Sequence, residues 1–333
     1  MSSAPSAHEI ASDARWLAQA LDANSGLVRL IEMTPDTYRA ASFLDDRMLQ
    51  GPLNARTLPW AGIAAAIPGD ARSDARWIFH IGHVGSTLVA RLLGELDGVL
   101  AIREPRILRD VAAMPADQRD AIVPAVQKLL SRTFTPDETA LIKATSFVSE
   151  IAAELVPPGG QALFLYADPR TYVATILAGE NNLKELEALA GDRARRMAKR
   201  VRGFPAGGHT AHLAAAAWAC EMTALEAAAE AIGDRRVLWA NFDALLENMG
   251  SGIQQLASFF GFEATAGRIR EIARGPLMSR YSKALDHQYS PELRRQLVEQ
   301  EIGLQGAQIE DALAILAKAA EESALLASAL ARA

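Results

Sequence analysis

The sequence contains a single cysteine, Cys220, so it cannot form an internal disulfide. Cys220 lies in an alanine-rich apolar run, where we expect it to pack as a small helical residue rather than to act as a nucleophile. A chain without disulfides is typical of a reducing compartment. The expected location is therefore the cytoplasm.

Basic residues are not in excess, and long apolar runs are missing. The 34 Lys and Arg residues stand against 40 Asp and Glu, which gives a formal net charge of -6 at pH 7. Without an overall basic field, a general nucleic-acid binder is disfavoured and any anion site must be local. The N-terminus has no basic and apolar leader pattern, and no segment approaches the roughly 18 apolar residues of a membrane span. Neither secretion by such a leader nor a membrane partner is expected.

The chain is long and apolar enough to fold around a sizeable core, because it has 333 residues of which 50% are hydrophobic. Residues 8–50 show apolar side chains at helical spacings, at Ile10, Ala14, Leu17 and Leu21. This pattern predicts a helical N-terminal appendage over residues 1–74. The remaining residues, 75–333, are expected to form one α/β domain with a helical C-terminal region.

Short apolar segments alternate with helical patterns after residue 76. The expected strands are 77–81, 99–102, 140–143, 162–166 and 237–240, with helices between them. Such alternation predicts an α/β fold with a parallel sheet that is flanked by helices on both faces. Residues 311–333 are rich in Ala and Leu and are expected to form one long amphipathic helix.

A glycine-containing loop follows the first of these strands. It reads Gly82-His83-Val84-Gly85-Ser86-Thr87 and leads into an amphipathic helix. Two glycines allow the backbone to turn back, and a helix N-terminus presents amide hydrogens to an anion. The loop is therefore predicted to hold a phosphate group, which makes the sheet P-loop-type. The alternative is an ordinary strand-to-helix turn with Ser86 as the N-cap.

The lysine that nucleotide triphosphatases carry before the loop Ser or Thr is absent, because Gly85 stands there. The absence of this lysine weakens the hypothesis that the chain is a kinase or an ATPase. A site for a sulfuryl donor requires fewer groups, since backbone amides, a hydroxyl and a cation can hold the transferring sulfuryl group without a metal.

Four ordered motifs between about residues 77 and 262 resemble the P-loop sulfotransferase superfamily, which uses 3′-phosphoadenosine-5′-phosphosulfate (PAPS) as sulfuryl donor. The family's loop reads Arg or Lys, Ser, Gly, Thr, Thr, Leu, and the corresponding residues here begin at His83 and end at Leu88. His83 thus stands where the family has a basic residue. The resemblance implies that the loop binds PAPS.

The second motif departs from the family pattern. The family has Arg-Asp-Pro-Arg and a later Ser, whereas this chain has Ala167 in the first place, Arg170 in the last and Thr175 for the Ser. Because Ala167 cannot bind phosphate, Arg170 and Thr175 are expected to contact the donor's 3′-phosphate. By the same resemblance, Arg280 and Lys283 lie where the family has a basic loop over the nucleotide.

Two strand-end residues are candidates for the chemistry. Lys143 resembles the lysine that cytosolic sulfotransferases place beside the sulfuryl group, but Thr145 occupies the position of their base, a histidine. Glu104 resembles the glutamate that tyrosylprotein and many bacterial sulfotransferases use as base. We therefore expect Glu104 as general base and Lys143 as its electrostatic partner, with His83 as a further cation.

These two candidates have plainer interpretations. Glu104 could be a strand-end carboxylate paired with Arg103 or Arg106, and Lys143 could be an ordinary surface lysine.

The remaining charged residues are given structural roles. The run from Arg193 to Arg202 is expected to form a solvated helix face. His209, His212 and His287 show no ligand spacing with carboxylates or cysteines, so no metal site is expected.

The sequence therefore predicts a sulfotransferase that transfers a sulfuryl group from PAPS to a hydroxyl or amine of a small molecule or peptide. Its partners would be the nucleotide donor and that acceptor. A P-loop kinase-like phosphotransferase and a non-catalytic interaction protein that retains the fold are the alternatives. Motifs of this kind do not indicate an oligomeric state.

Overall fold

The N-terminal segment forms a small antiparallel sheet with short helices, not the helical appendage expected from the sequence. The computed structural model describes residues 6–205, 207–279 and 290–333. The three strands, which pair in chain order, are β1 (Trp16–Asp22), β2 (Leu27–Glu32) and β3 (Ala55–Pro59). The helices are α1 (Ala7–Ser12), α2 (Pro35–Ala40) and α3 (Trp60–Ala66), with a 3-10 turn at Asp46–Gln50.

The helical expectation failed because apolar side chains four residues apart also occur in a strand that is buried on both faces. A bulge between Ala18 and Ala20 pairs Leu17 with Ile31 and Leu21 with Val28, so Leu17 and Leu21 lie on opposite faces of β1. In the structure both are buried in β1, and α1 has already ended at Ser12.

Three buried arginines of the following region hold this segment in place. Each donates hydrogen bonds to N-terminal backbone carbonyls: Arg91 to Ala40, Arg103 to Tyr38, Arg39 and Ala41, and Arg132 to Ile10 and Trp16. Burial, with the neighbouring charge of Arg91, lowers the pKa of Arg103 to about 9. The apolar residues of the N-terminal sheet belong to the same hydrophobic core as the rest of the chain.

Replacing Arg103 with leucine is expected to lower the free energy of unfolding by about 2–4 kcal/mol. The variant leaves buried carbonyl groups without their donor, and each such loss costs about 1–3 kcal/mol. Urea unfolding followed by circular dichroism measures the difference. Arg195→Leu is the matched control, because the Arg195 side chain is 75% exposed. Equal unfolding midpoints for the two variants would show that Arg103 does not stabilise the docking.

The main sheet confirms the expected α/β fold class. Its five strands are β4 (Arg76–His80), β5 (Val99–Arg103), β6 (Thr139–Lys143), β7 (Ala162–Tyr166) and β8 (Val237–Asn241). They are all parallel and lie in the order β5-β6-β4-β7-β8. The central strands read as near-continuous apolar runs because both faces are buried.

Helices flank this sheet. Along the chain they are α4 (Ser86–Leu93), α5 (Arg106–Ala112), α6 (Ala116–Leu130), α7 (Ala152–Leu155), α8 (Pro169–Leu177), α9 (Glu180–Met197), α10 (Thr210–Ile232), α11 (Phe242–Glu247), α12 (Met249–Phe260), α13 (Ala266–Arg274), α14 (Pro291–Ala320) and α15 (Ala324–Arg332). Shorter 3-10 turns lie at Ser146–Ile151, Asp234–Arg236 and Pro276–Ser279. In the described ranges, no helix is long and apolar enough to cross a membrane.

The C-terminal tail consists of two helices rather than the single helix expected over residues 311–333. The chain leaves α14 at Glu321, and Ser323 begins α15 as its N-cap by accepting a hydrogen bond from the Leu326 amide. A serine hydroxyl at this position competes for the backbone and favours a new helix start. Arg280, Lys283 and His287 lie outside the described residues.

Candidate functional site

The strand order places a cavity at the carboxyl edge of the main sheet. The chain continues from β4 to β5 and β6 on one side and to β7 and β8 on the other, so the order reverses at β4. Open parallel sheets bind ligands at such a reversal, outside the carboxyl ends of the strands. A cavity of about 1220 Å³ lies there, lined by the loop after β4, by the ends of β5 and β6, and by α9 and α14.

The loop after β4 has the backbone of an anion cradle. Gly82 and Gly85 have φ values of 85° and 62°, which favour glycine. Gly85 is the N-cap of α4, and no side chain caps this helix among the residues described. A Cβ atom on Gly85 would overlap the Phe242 ring. The first-turn amides of α4, at Ser86 and Thr87 in the cavity wall, are thus available to a ligand.

His80, at the end of β4, fixes the start of the loop. Its Nδ1 accepts a hydrogen bond from the Gly82 amide at 2.9 Å, and its Nε2 donates to the carbonyl oxygen of Ala144 at 2.9 Å. These partners require the neutral tautomer with the proton on Nε2. His80 therefore joins the loop to the end of β6, a role that the sequence analysis missed although the residue lies two positions before Gly82.

His83 and Glu104 share an unusual backbone conformation. Both have φ of 54°, and they are the two non-glycine residues with positive φ in the part of the chain that the structure describes. Both line the cavity. Positive φ is costly for residues with a side chain and is concentrated at functional sites. His83 Nε2 lies 3.5 Å from Glu185 Oε1.

Glu104 and Lys143 meet, as the sequence analysis expected from their positions at strand ends. β5 and β6 are neighbours, and the Glu104 amide donates to the Lys143 carbonyl at 2.7 Å. The Lys143 ammonium contacts Glu104 Oε1 and lies 3.4 Å from the Thr87 hydroxyl. The Lys143 side chain is only 1% exposed and that of Glu104 9%, so Lys143 is not a surface lysine.

The plainer interpretation paired Glu104 with Arg103 or Arg106, but both arginines have other partners in the structure. Arg103 donates to N-terminal carbonyls, and Arg106 pairs with Asp46 and Asp110. A strand-end lysine and an N-terminal arginine, Arg47, pair with Glu104 instead.

The N-terminal segment supplies four cavity residues that the sequence analysis did not identify, namely Phe43, Asp45, Asp46 and Arg47. Arg47 Nη2 lies 2.8 Å from Glu104 Oε2 and 2.6 Å from Asp45 Oδ2. The Arg47 guanidinium carbon lies 3.3 Å above the Phe43 ring centroid, and Lys143 Nζ lies 5.9 Å from the same centroid. Burial raises the pKa of Asp45, but hydrogen bonds from Arg47 outweigh it, so the net pKa is lowered. Arg47 and Glu104 are 57 positions apart, so the sequence alone does not reveal this pairing.

The structure separates the residues expected to hold the 3′-phosphate. Thr175 lines the cavity, with its hydroxyl donating to the Thr171 carbonyl at 2.7 Å. Arg170 instead forms an ion pair with Glu310 of α14 and does not line the cavity. Val84, which was expected to bind the donor with the rest of the loop, is buried in the core and does not line the cavity. The expectation that Arg170 replaces the missing charge at Ala167 therefore has no support from its position.

The arginine run of α9 is not the solvated face that we expected. Arg193 and Arg196 are buried, and Arg196 Nη2 lies 2.9 Å from Glu221 Oε1 on α10. Burial lowers the pKa of Arg196, but Glu221, Cys220 and Glu150 together outweigh burial, so the net pKa is raised. Arg196 and Glu221 form part of the cavity wall, while Arg195 is exposed as expected. The adjacent Cys220 is buried within the hydrophobic core, in agreement with the expected packing role. Burial, followed by the Glu221 charge, raises the pKa of its thiol to about 12.

No protein-family model and no curated protein matches this sequence. Among solved structures, the chain is similar to the sulfotransferase domain from the curacin biosynthetic pathway, with 12% identity over 68% of this chain and 89% of that domain and a TM-score of 0.46. A mouse sulfotransferase complexed with PAP is 10% identical over 79% of this chain and 90% of its own length, with a TM-score of 0.45. A sulfotransferase from Mycobacterium avium is 11% identical over 71% of this chain and 78% of its own, with a TM-score of 0.40. These three solved structures are all sulfotransferases, the superfamily that the sequence motifs of this chain resemble.

Proposed function

We propose that this chain is a sulfotransferase that transfers a sulfuryl group from PAPS to a hydroxyl or amine of a small molecule or peptide. The observation that carries the proposal is the convergence of Glu104, Lys143 and Thr87 in one cavity beside an uncapped helix N-terminus. A carboxylate, a buried cation and an anion cradle are the three groups that sulfuryl transfer requires. The proposed reaction uses none of these three groups to bind a metal.

In the proposed reaction, the loop amides and the Thr87 hydroxyl hold the phosphosulfate group of the donor. The Lys143 ammonium, 3.4 Å from that hydroxyl, turns from Glu104 to the sulfuryl oxygens. Glu104 then takes the proton of the acceptor hydroxyl or amine. A bond forms between the acceptor atom and sulfur, the bond from sulfur to the phosphate oxygen breaks, and adenosine 3′,5′-bisphosphate leaves with the electron pair of that bond.

Arg47 has a positioning role in this scheme. It contacts the second carboxylate oxygen, Glu104 Oε2, so it can hold the carboxylate after Lys143 has turned to the donor. Its stacking on Phe43 and its pairing with Asp45 fix the guanidinium plane. The Glu104 side chain thereby keeps one orientation through the reaction, which preserves the geometry that proton transfer needs.

Calorimetric titration with adenosine 3′,5′-bisphosphate tests the proposed donor site. We expect one molecule to bind per chain in the presence of EDTA, since the loop and Lys143 require no metal. ATP with Mg²⁺ is the comparison ligand. Tighter binding of ATP with Mg²⁺ would favour the phosphotransferase alternative, and no binding of either nucleotide would contradict a nucleotide site.

A glycine substitution assigns this binding to the loop. Gly85→Ala is expected to weaken bisphosphate binding by about 10–100-fold. The new methyl group displaces the Phe242 ring and the loop amides. These amides make charge-assisted hydrogen bonds to the bound anion, which contribute about 1.5–3 kcal/mol. Gly26→Ala is the matched control: its φ of 65° is also positive, but nothing lies within 4 Å of the added Cβ. Equal weakening by the two substitutions would contradict the assignment of the loop.

A further inference from the structure

Two histidines and an aspartate from distant parts of the chain meet on the surface of the C-terminal helices. His209 precedes α10 as its N-cap and His212 lies in its first turn, while Asp311 belongs to α14. Asp311 Oδ2 lies 3.2 Å from His209 Nε2 and 2.6 Å from His212 Nε2. One ligand atom from each residue lies within 4.8 Å of those of the others.

These three residues offer the ligand set of a transition-metal site. Imidazole nitrogens with a carboxylate oxygen suit Zn²⁺ and its neighbours in the first transition row. The two imidazole ring centroids lie 3.7 Å apart at an angle of 34°, and both Nε2 atoms face the same oxygen, Asp311 Oδ2. Three protein ligands at a partly exposed position leave further coordination positions for water.

The surroundings of His209 allow the tautomer that binds a metal. Its Nδ1 is buried and has no hydrogen-bond partner among the described residues, so no backbone donor forces the proton onto Nε2. When a cation binds at Nε2, the imidazole proton moves from Nε2 to Nδ1 by exchange with solvent and the ring stays neutral, with the Nδ1 proton lacking an acceptor among the described residues. The positive end of the α10 dipole opposes a cation at this place, and the Asp311 carboxylate offsets it.

We propose that His209, His212 and Asp311 bind a divalent transition-metal cation, with Zn²⁺ as the best match to the ligand set. No metal site was expected from the sequence because the ligands are not at short spacing: Asp311 follows His212 by 99 residues. None of the three residues lines the cavity at the sheet edge, so the site is separate from the proposed transfer chemistry.

The metal would join α10 to α14. Asp311 follows Glu310, whose ion pair with Arg170 joins α14 to α8. The beginning of α14 carries Leu293 and Arg294 into the cavity wall, and Arg294 pairs with Asp243 there. The backbone of α14 is kinked at Gln305, so a cation at Asp311 stabilises the packing of the part of α14 that follows the kink, and the cavity-lining part precedes it.

Zinc titration of the full chain without an affinity tag tests this proposal. The protein is freed of metal with EDTA, dialysed at pH 7.5 and titrated calorimetrically with ZnCl₂. We expect one high-affinity site, weakened at least about 10–100-fold in His212→Ala and in Asp311→Asn, since even outer-shell changes have that effect on metal affinity. His8→Ala is the control, because His8 is exposed and outside the cluster.

The asparagine variant separates metal binding from hydrogen bonding. Asp311→Asn keeps an oxygen that accepts from the two histidines but lacks the charge that a cation requires. In EDTA it should therefore unfold at nearly the wild-type temperature, whereas added Zn²⁺ should raise the unfolding temperature of the wild type only. Absence of zinc binding to the wild type, or equal zinc affinity of wild type and Asp311→Asn, would overturn the proposal.

Discussion

Replacing Glu104 with glutamine is expected to lower sulfuryl transfer about 10²–10⁴-fold, which is the usual contribution of a positioned base. The amide keeps the shape of the side chain and one oxygen that can accept from Lys143 or Arg47. It cannot take the acceptor's proton at neutral pH. The turnover number with saturating PAPS and acceptor measures the loss.

Two further measurements distinguish loss of the base from loss of nucleotide binding and from loss of a negative charge. The affinity for adenosine 3′,5′-bisphosphate should stay within about threefold, because a base that acts in the transition state contributes little to nucleotide binding. Glu187→Gln is the control for removing one acidic charge nearby, since Glu187 is exposed on α9 and does not line the cavity. Turnover of Glu104→Gln equal to that of Glu187→Gln would remove Glu104 from the reaction.

Replacing Lys143 with methionine is expected to lower turnover about 10²–10³-fold, the magnitude measured when one group that stabilises developing charge is removed. Charge develops on the sulfuryl and leaving oxygens, and Lys143 is the buried cation beside the Thr87 hydroxyl. Methionine fills the same space without charge. Steady-state kinetics gives the effect as a fall in the turnover number.

The control for Lys143→Met addresses stability and net charge. Glu104 keeps its ion pair with Arg47 in this variant, so we expect a folded protein whose unfolding transition remains cooperative. Lys184→Met removes one charge from an exposed position of α9 outside the cavity and should retain full turnover. A folded Lys143→Met enzyme with wild-type turnover would contradict the electrostatic role.

Much of the main sheet could be predicted because its signal is local. Short apolar strands between helices imply a buried parallel sheet, and parallel strands bring their carboxyl ends to one edge. The meeting of Glu104 and Lys143 follows from that rule alone. Their roles in the reaction rest on the resemblance to the family and remain predictions.

The features that escaped the sequence analysis depend on long-range contacts. Arg47 pairs with Glu104 across 57 positions, in an N-terminal segment that is itself held by Arg103 and Arg132 through hydrogen bonds to its carbonyls. Arg196 is buried because Glu221 lies opposite on another helix, which a charge pattern within α9 cannot reveal. Arg170 was expected to contact the donor's 3′-phosphate because of its place in a sequence motif. In the structure its side chain forms an ion pair with Glu310 of α14, 140 positions later.

Transfer of label from ³⁵S-labelled PAPS tests the central claim most directly. Wild-type protein in EDTA is incubated with panels of alcohols, phenols, amines and tyrosine peptides, and labelled products are separated by chromatography. We predict a labelled organic sulfate from at least one panel, and a yield at least about 100-fold lower with Glu104→Gln. Binding of adenosine 3′,5′-bisphosphate without labelled product from any panel would contradict an enzyme and leave a nucleotide-binding protein that retains the fold.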